Sequence, residues 1–422
     1  MKLKRAKYYG KKLAENKEIV VMPAPEYVKI PLGQGIGLAA SPCVKVGQEV
    51  EIGTLLGKAV KNKFCSNVHS SVCGTIVDIA LDKREDGTSC DFVLIRSNGK
   101  NVKRTLPPLK DVTSENIVER MFEAGIIGQG GAGFPTYLKY DKLKKKIDTV
   151  LINGCECDDY LVNDYRLMLE RTADVVNGAI LLKTAANANK VIICVMKRNK
   201  KAYIALKNYI TENNLEIEVK LLPNQYPIGN ERVLVYKTLN LSYEDDAKPE
   251  SIGVIVNNVQ TAAAVCAAVN RGECCVRKLV TVSGNAIKKP GVYEVAIGTA
   301  YTDLIEYCGG EIFPVSEFAD IENKAFETYG LFVELQEELK KNKKNEELKK
   351  EVKEKKVEAD KVVMDYLKLV RKVSPYLLNC LIYGGYETGA EQRDLNYVVA
   401  KNSLGVLLLS RKENVKRMKK YC

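Results

Sequence analysis

Two segments of the sequence indicate the fold. The first is Gly128-Gln129-Gly130-Gly131-Ala132-Gly133-Phe134-Pro135. The second follows a lysine-rich connector and is Val150-Leu151-Ile152-Asn153-Gly154-Cys155-Glu156-Cys157-Asp158. Four glycines within six residues let a backbone approach a flat or phosphorylated ligand closely, and Phe134-Pro135 stiffens the exit of the loop. The apolar start of the second segment is typical of a buried strand. We predict a ligand cradle here, although glycine-rich strings also occur in ordinary turns.

Strands and helices alternate along residues 111–270. The predicted elements are a helix at 114–123, a strand at 149–152, a helix at 164–186, a strand at 190–195, a helix at 201–213, a strand at 216–222 and an apolar run at 252–256. This alternation implies a central Rossmann-like α/β domain with largely parallel strands. Ligands of such sheets bind beyond the carboxyl ends of the strands, where Asn153–Glu156 and Asn257-Asn258 fall.

The regions on either side of this α/β domain are predicted to form separate domains, so the predicted fold class is α/β and multidomain. Residues 1–110 contain short strands broken by Gly, Pro and Asn, and they resemble the flattened barrel of biotinyl and lipoyl carriers without a matching lysine tip. We therefore predict an unmodified barrel-sandwich hybrid. Residues 271–316 and 373–422 carry a β pattern. Between them, the spacing of apolar residues in 317–372 predicts amphipathic helices that are broken near 341–345 and inserted into the β domain.

Composition excludes several classes of function for the 422 residues. The 13 cysteines contain no C-x-x-C, which argues against zinc ribbons, thioredoxin-type motifs and ferredoxin-type clusters, and the single histidine, His69, disfavours multi-histidine metal sites. The net charge is +12, but the sequence has no tryptophan and no stretch in which basic and aromatic residues alternate, so nucleic-acid binding is disfavoured. No apolar run approaches 20 residues, and we expect a cytoplasmic protein that does not span a membrane but could contact one peripherally.

Four motifs occur in an order that resembles one known family. They are the glycine loop with Lys139, the post-strand segment Asn153–Asp158, the segment Tyr226–Glu231 and the segment Asn257–Thr261. Together they resemble the flavin- and NADH-binding subunit of respiratory complex I and, more closely, the RnfC family of electron-transfer subunits. The resemblance covers nearly the whole chain, and it implies that residues 111–270 bind FMN and NADH and that the C-terminal β domain is a β-grasp (SLBB) domain.

The resemblance also implies roles for individual residues. The loop that holds FMN would comprise Gly128, Gly130, Gly131, Gly133 and Phe134, with Lys139 facing the dinucleotide. The isoalloxazine and ribityl phosphate would be held by Asn153, Glu156, Gly229, Asn230, Glu231, Asn257, Asn258 and Thr261. The candidate catalytic residues are Glu156, Cys155 and Cys157, the thiols as a redox exit. For these cysteines a purely structural role stays open, because buried cysteines are usually inert.

The departures from the family leave two hypotheses. The repeated C-x-x-C-x-x-C-x-x-x-C-P runs of the RnfC type are missing, so electrons would need another exit, and extra cysteines such as the vicinal pair Cys274-Cys275 resemble the PrdC branch of D-proline reductase systems. In the first hypothesis NADH reduces FMN and electrons pass to a partner reductase such as D-proline reductase. In the second the chain is a docking subunit without a working relay. Asn230, where complex I subunits carry glutamate, is compatible with either.

Overall fold

The computed structural model describes residues 4–5, 10–61, 63–84, 88–131, 133–158, 160–283, 287–310, 315–342 and 345–373. The chain forms two compact units, one made of Met1–Val282 with Gly291–Asp303 and the other of Ser283–Pro290 with Leu304–Cys422. The strands predicted at 377–385 and 403–409, and with them the second half of the predicted β-grasp domain, lie outside the described residues.

The N-terminal part of the first unit consists of short strands. They are β1 (Lys4–Arg5), β2 (Ile19–Val21), β3 (Tyr27–Pro31), β4 (Ser41–Pro42), β5 (Glu49–Val50), β6 (Leu55–Lys58), β7 (Val68–His69), β8 (Gly74–Lys83) and β9 (Ser89–Ser97). Seven of them form two small antiparallel sheets, in the orders β3-β9-β8-β5 and β4-β6-β7. Val28, Ile30, Val93 and Ile95 alternate with more exposed residues and are fully buried, which gives the two-residue period of strands that cover a core. The predicted β domain is therefore present.

The central part alternates between strands and helices, as predicted. Its elements are α1 (Ser114–Glu123), β10 (Thr149–Gly154), α2 (Asn163–Glu170), α3 (Thr172–Ala185), β11 (Lys190–Met196), α4 (Lys200–Glu212), β12 (Glu218–Leu222), β13 (Gln225–Tyr226), α5 (Glu231–Leu239), β14 (Val254–Asn258) and α6 (Val259–Arg271), with 3-10 helices at Lys11–Leu13, Thr136–Lys139, Lys197–Asn199 and Pro249–Ile252. The sheet order is β12-β11-β10-β14 and every pairing is parallel. The apolar strands lie between helices, which is typical of a Rossmann-like layer.

The predicted helix at 164–186 is wrong as a single element, because it breaks at Arg171. The backbone of Arg171 has φ −129° and ψ 43°, outside the helical region. Its guanidinium makes a two-point hydrogen-bonded ion pair with Glu294, and the hydroxyl of Thr172 donates to the Met168 carbonyl at 2.8 Å. A partner 123 residues away thus fixes the break.

A third sheet joins distant parts of the chain. The strands β15 (Arg277–Val282) and β16 (Gly291–Ala296) pair antiparallel, and β2 pairs with β16 in parallel. The short helix α7 (Tyr301–Tyr307) follows β16. The sequence pattern predicted the β character of 276–284 but did not predict the contribution of β2.

The second unit contains the predicted helical hairpin. It consists of α8 (Val315–Lys341) and α9 (Glu346–Val373), which pack against each other. The buried residues Val352, Ala359 and Tyr366 recur every seven positions along α9, which is the spacing of a seam between paired helices. Within the described part of the chain, no helix has both the length and the apolar character needed to cross a membrane.

Candidate functional site

The candidate site lies at the carboxyl edge of the central parallel sheet. Asn153 near the end of β10 and Asn258 at the end of β14 are partners in the strand register, so the two asparagines are neighbours at this edge. The Asn153 side chain accepts a hydrogen bond from the Cys155 amide at 2.9 Å and donates one to the Gly229 carbonyl at 2.9 Å. Segments predicted from distant parts of the sequence are thereby joined at the sheet edge.

The glycine loop lies against the second of these strand ends. A Cβ added to Gly130 would lie 2.7 Å from the Asn258 amide group, so only glycine allows the loop to approach this closely. The Gln129 amide donates to the Thr261 hydroxyl at 3.0 Å, and the Gly128 amide donates to the Phe134 carbonyl at 2.8 Å. These contacts fix the loop at both ends. Gly131 between them has open space beside it, with no atom within 4 Å of an added Cβ.

Gly133 faces a different neighbour. Its φ is +67°, and an added Cβ would lie 2.7 Å from the Cα of Gly35 in the N-terminal β domain. The adjacent Phe134 ring packs edge-on against Phe64, with ring centroids 5.1 Å apart. Gly133 therefore fastens the glycine loop to the N-terminal domain, whereas Gly130 and Gly131 border the sheet edge.

Two buried carboxylic acids form a network behind the asparagines. The Asp164 carboxylate accepts hydrogen bonds from the side chains of Asn258 at 2.7 Å and Gln260 at 2.8 Å, while the Asp164 amide donates to Glu156 Oε1 at 3.1 Å. Burial raises the pKa of both acids, that of Glu156 to about 7, and the Lys11 ammonium opposes the rise. Glu156 Oε2 is buried and accepts no hydrogen bond from the described residues. Sequence reasoning used Asp164 only to mark a helix start.

Lys139 and Lys248 place positive charge beside the glycine loop. The Lys139 ammonium donates to the Val256 carbonyl at 2.7 Å, and burial lowers its pKa. It lies 5.8 Å from the centroid of the Phe134 ring, and the Lys248 ammonium lies 5.1 Å from the same ring. An aromatic ring with two nearby cations is suited to a nucleotide, which offers both a stacking face and phosphates. Sequence reasoning missed Lys248, because neither its spacing nor its local pattern sets it apart.

Three further predicted cofactor residues, like Asn153 and Asn258, have hydrogen-bond partners within the protein. The Asn230 side chain caps α5 by accepting from the Arg232 amide at 3.1 Å. Glu231 Oε1 accepts a hydrogen bond from the Tyr243 hydroxyl at 3.3 Å. The Asn257 side chain is buried and donates to the Tyr140 hydroxyl. Asn230 and Asn257 thus already serve the fold, whereas Glu231 keeps its second carboxylate oxygen.

The cysteines of the site are protonated thiols near neutral pH. Gly229 packs against this segment so closely that an added Cβ would lie 2.3 Å from the Cys155 carbonyl oxygen and 3.3 Å from the Cys157 sulfur. Burial raises the pKa of Cys155 well above its usual range and that of Cys157 to about 11. Thiols of this kind are poor nucleophiles, because the thiolate is the reactive form.

The vicinal pair lies in a different hollow. Cys274 and Cys275 line a cavity of about 170 Å³ together with Gln129, Gln260 and Lys278. The Gln129 side chain donates to the Cys275 sulfur at 3.2 Å, and burial raises the pKa of Cys275 to about 11. This cavity therefore borders the glycine loop without containing the asparagines.

Among the described residues, no group of three or more His, Cys, Asp or Glu side chains is arranged to hold a metal ion.

The residues at the sheet edge fit a flavin nucleotide. Gly130 and Gly131 let a planar group approach the backbone, and amide side chains of Asn153 and Asn258 stand at the strand ends. Glu156 Oε2 accepts no hydrogen bond from the described residues and lies 3.7 Å from the Lys11 ammonium. Flavin rings are held by amide donors and acceptors at their polar edge while the protein supplies orientation and charge. The donor set of the site is therefore suited to FMN.

Comparison with protein families supports each of the three predicted domains. Residues 6–100 match the RnfC barrel sandwich hybrid domain, residues 121–267 match the Nuo51 FMN-binding domain, and residues 279–314 match the SLBB domain. The central match contains the glycine loop, both asparagines and Thr261. The predicted fold class, with its order of domains, is thereby confirmed.

Individual relatives carry related descriptions. One is a subunit of the proton-translocating ferredoxin:NAD(+) oxidoreductase complex of Clostridium ljungdahlii, which is 35% identical over 71% of this chain and 66% of its own length. Another belongs to the Na(+)-translocating ferredoxin:NAD(+) oxidoreductase complex of Acetobacterium woodii and is 34% identical over 68% of this chain and 65% of its own length. The chain thus spans about two thirds of the length of these relatives. The crystal structure of an NAD+-reducing NiFe hydrogenase in the air-oxidized state overlaps 47% of this chain and 39% of that chain, with a TM-score of 0.42 and 24% identity.

Proposed function

This chain belongs to the RnfC family, and from that premise we propose that it is an electron-transfer subunit that binds FMN at the carboxyl edge of its central sheet, receives a hydride from NADH and passes electrons to a partner reductase. One observation carries the proposal. The glycine loop meets Asn258 at Gly130 and Thr261 at Gln129, while Asn153 and Asn258 are neighbours in the register of two parallel strands. A cofactor site requires this convergence, and ordinary turns do not.

In this proposal, the chain's own residues bind and orient the cofactor. Thr261 fixes the loop so that Gly130 and Gly131 present backbone to the ring, and Asn153 and Asn258 offer amides at its edge. Bound FMN would supply the redox chemistry, since it accepts a hydride and releases electrons singly or in pairs. The protein contributes geometry and charge, because few acid-base groups are needed for hydride transfer between two stacked rings.

The nicotinamide dinucleotide would bind beside Phe134. The two nearby ammonium groups, of Lys139 and Lys248, suit the phosphates of the dinucleotide, and the partly exposed ring offers a stacking surface. Glu156 would supply a negative charge close to the point where the nicotinamide becomes positive on losing its hydride. These assignments predict that NADH binding weakens with added salt, because the phosphate contacts are electrostatic.

The proposed acceptor is a separate reductase, with D-proline reductase as the specific candidate. The relatives are named as subunits of ferredoxin:NAD(+) oxidoreductase complexes, and membership of such complexes supports a protein partner in electron transfer. The thiols Cys155 and Cys157 remain candidates for a redox exit, although their raised pKa values mean that they would act only after a change that exposes or ionises them.

A second candidate function is a docking subunit that keeps the fold without the relay. It is favoured by the internal hydrogen bonds of the asparagines assigned to the flavin, because the side chains of Asn230, Asn257, Asn153 and Asn258 all have partners within the protein. The two candidates differ in one simple property, which is whether the protein binds FMN.

The test is reconstitution of the purified chain with FMN. The electron-transfer proposal predicts quenching of FMN fluorescence on binding and loss of the yellow absorbance when NADH is added without oxygen. It also predicts that Asn258→Ala weakens FMN binding, whereas Asn98→Ala, at an exposed loop position, leaves it unchanged. A protein that cannot be loaded with FMN under any condition supports the docking function instead.

A further inference from the structure

We propose that Lys11 is a positioning residue for the flavin site: its ammonium favours the ionised form of the Glu156 carboxylate and fixes the backbone that follows β10. Lys11 belongs to residues 10–15, here called the N-terminal strap, which crosses the segment 156–166 of the central domain. The inference rests on the proposed function to the extent that Glu156 is one of the residues assigned to FMN and nicotinamide.

The Lys11 ammonium contacts the stretch of chain from Glu156 to Leu161. Lys11 is 0% exposed, and its ammonium donates to the carbonyl of Glu156 at 3.1 Å and to the carbonyl of Leu161. It also lies 3.7 Å from Glu156 Oε2. Glu156 Oε2 accepts no hydrogen bond within the described chain, whereas Glu156 Oε1 accepts one from the Asp164 amide. The Lys11 ammonium therefore provides the positive charge beside the oxygen that has no hydrogen-bond donor.

The strap is held by several contacts besides those of Lys11. Ala14 is fully buried in the hydrophobic core of the central domain. The Glu15 carboxylate pairs with Arg198 at 2.6 Å, and the Glu15 carbonyl accepts from Arg166 at 3.3 Å. Gly10 lies directly against the ring of Tyr160, where an added Cβ would clash. Because these contacts remain when the Lys11 side chain changes, its replacement tests charge rather than attachment of the strap.

The other charged groups near the pair do not replace the ammonium. Among the described residues, the charges that act on Glu156 are those of Lys11, Asp164 and Asp158, and both aspartates favour the protonated form of Glu156. Burial lowers the pKa of Lys11 and Arg198 lowers it further, whereas the charges of Glu156, Asp158 and Cys157 oppose this shift. An opposite charge within about 4–6 Å lowers the pKa of a carboxylic acid by roughly 1–3 units, so the loss of Lys11 should let Glu156 keep its proton to a higher pH.

The first experiment reads the protonation of Glu156 directly, in the protein without added flavin. Infrared spectra between about pH 5 and 10 would follow the carboxylic acid C=O stretch, with the Glu156 component identified by its loss in Glu156→Gln. The expected result is that Lys11→Met moves the midpoint of this band upward by about 1–3 pH units. Lys12→Met, at the exposed neighbouring lysine, leaves the midpoint unchanged, and Lys11→Arg restores it. The same midpoint in Lys11→Met and Lys12→Met, or no acid band in Lys11→Met, overturns the proposal.

The second experiment connects this charge to the flavin. Titration with FMN at pH 8, followed by fluorescence quenching, should show the dissociation constant of Lys11→Met shifted in the same direction as that of Glu156→Gln, because both variants reduce the negative charge at position 156. Wild-type affinity in Lys11→Met combined with altered affinity in Glu156→Gln contradicts a positioning role. If no variant binds FMN, the proposed function fails, while the infrared midpoint still decides whether Lys11 controls Glu156.

Discussion

The side chain of Asn258 donates a 2.7 Å hydrogen bond to Asp164 Oδ2 and thereby joins the end of β14 to the start of α2. The same asparagine caps α6, because its Oδ1 accepts from the Gln260 amide at 2.8 Å. Its two functions use opposite ends of one amide group. Asn258 therefore holds a strand end, a helix start and a buried carboxylate in fixed positions beside Gly130, and replacing it tests the geometry of the site.

Asn258→Asp should keep the cap but lose the donor. Aspartate caps helices well, yet here its carboxylate would stand next to the buried Asp164 carboxylate. We expect a loss of about 1–3 kcal/mol in the free energy of unfolding at pH 7. One acid of the pair would have a folded-state pKa above its unfolded value, so the native state binds more protons and the loss shrinks as the pH falls toward 4.

Urea unfolding at several pH values checks this prediction. Asn98→Asp is the matched control, since the exposed Asn98 side chain accepts from the Lys100 amide, which aspartate also permits. A pH-independent difference between Asn258→Asp and wild type would show that the two carboxylates do not interact.

Gly131→Ala should impair FMN binding without affecting the fold. An added Cβ at Gly131 meets no protein atom within 4 Å, so the methyl group would occupy ligand space instead of clashing with the chain. We expect an affinity for FMN at least about tenfold lower, the equivalent of roughly 1.4 kcal/mol, and an unchanged melting temperature. Fluorescence titration and thermal unfolding measure the two effects.

Gly330→Ala controls for the glycine replacement, because Gly330 in α8 also has open space around it. In a helix interior this change favours folding slightly and should leave the FMN affinity at the wild-type value. Equal FMN affinity of Gly131→Ala and Gly330→Ala would place the flavin elsewhere.

Much of the fold follows from local patterns in the sequence. The apolar runs of the parallel strands, the polar residues after them and the spacing of the helical hairpin are all short-range features, and the structure contains them. The placement of Asn153 beside Asn258 could be predicted as well, since the carboxyl ends of parallel strands share one edge.

The features that could not be predicted depend on contacts distant in sequence. The break at Arg171 is fixed by Glu294, and the strand β2 joins β16 from the other end of the chain. Lys11 reaches Glu156 across 145 residues, and nothing around Lys11 in the sequence distinguishes it from the exposed Lys12. The internal partners of Asn230 and Asn257 likewise emerge only when the tertiary contacts are known.

Glu156→Gln should flatten the pH dependence of stability. The pKa of Glu156 is raised from 4.5 to about 7 in the folded protein, so the native state holds its proton more tightly than the unfolded state. The resulting stability is fully present below about pH 4.5 and is lost as the pH rises to about 7. We expect Glu156→Gln to remove this slope, as measured by unfolding in urea at pH 5, 6, 7 and 8, whereas Glu119→Gln, at a half-buried position paired with Lys61, retains it.

The same variant should slow the reaction with NADH. Loss of the negative charge would reduce the rate of flavin reduction by about 10- to 100-fold, the equivalent of one hydrogen bond to a charged group. Stopped-flow absorbance of the FMN-loaded protein measures the rate. Unchanged turnover in a folded, FMN-loaded Glu156→Gln variant would remove Glu156 from the candidate catalytic residues.

The thiols of the site should resist alkylation in the folded protein. Cys155 is buried, and the raised pKa of Cys157 leaves it protonated at pH 7.5, whereas Cys43 is exposed. Iodoacetamide labelling, resolved by peptide mass spectrometry, should modify Cys43 at least about tenfold faster than either site cysteine. The pKa of Cys43 is also raised, so the difference arises from its exposure to the reagent. In urea the difference should disappear. Fast labelling of Cys157 in the native protein would contradict its burial and would strengthen its case as a redox exit.

The most direct test of the central claim is an anaerobic titration of the FMN-loaded chain with NADH, followed by the flavin absorbance. We predict that one equivalent of NADH removes the absorbance of one bound FMN, and that the Asn258→Ala variant, which lacks the amide at the sheet edge, fails to hold the flavin. A chain that binds no FMN, or whose bound FMN stays oxidised with excess NADH, would contradict the account.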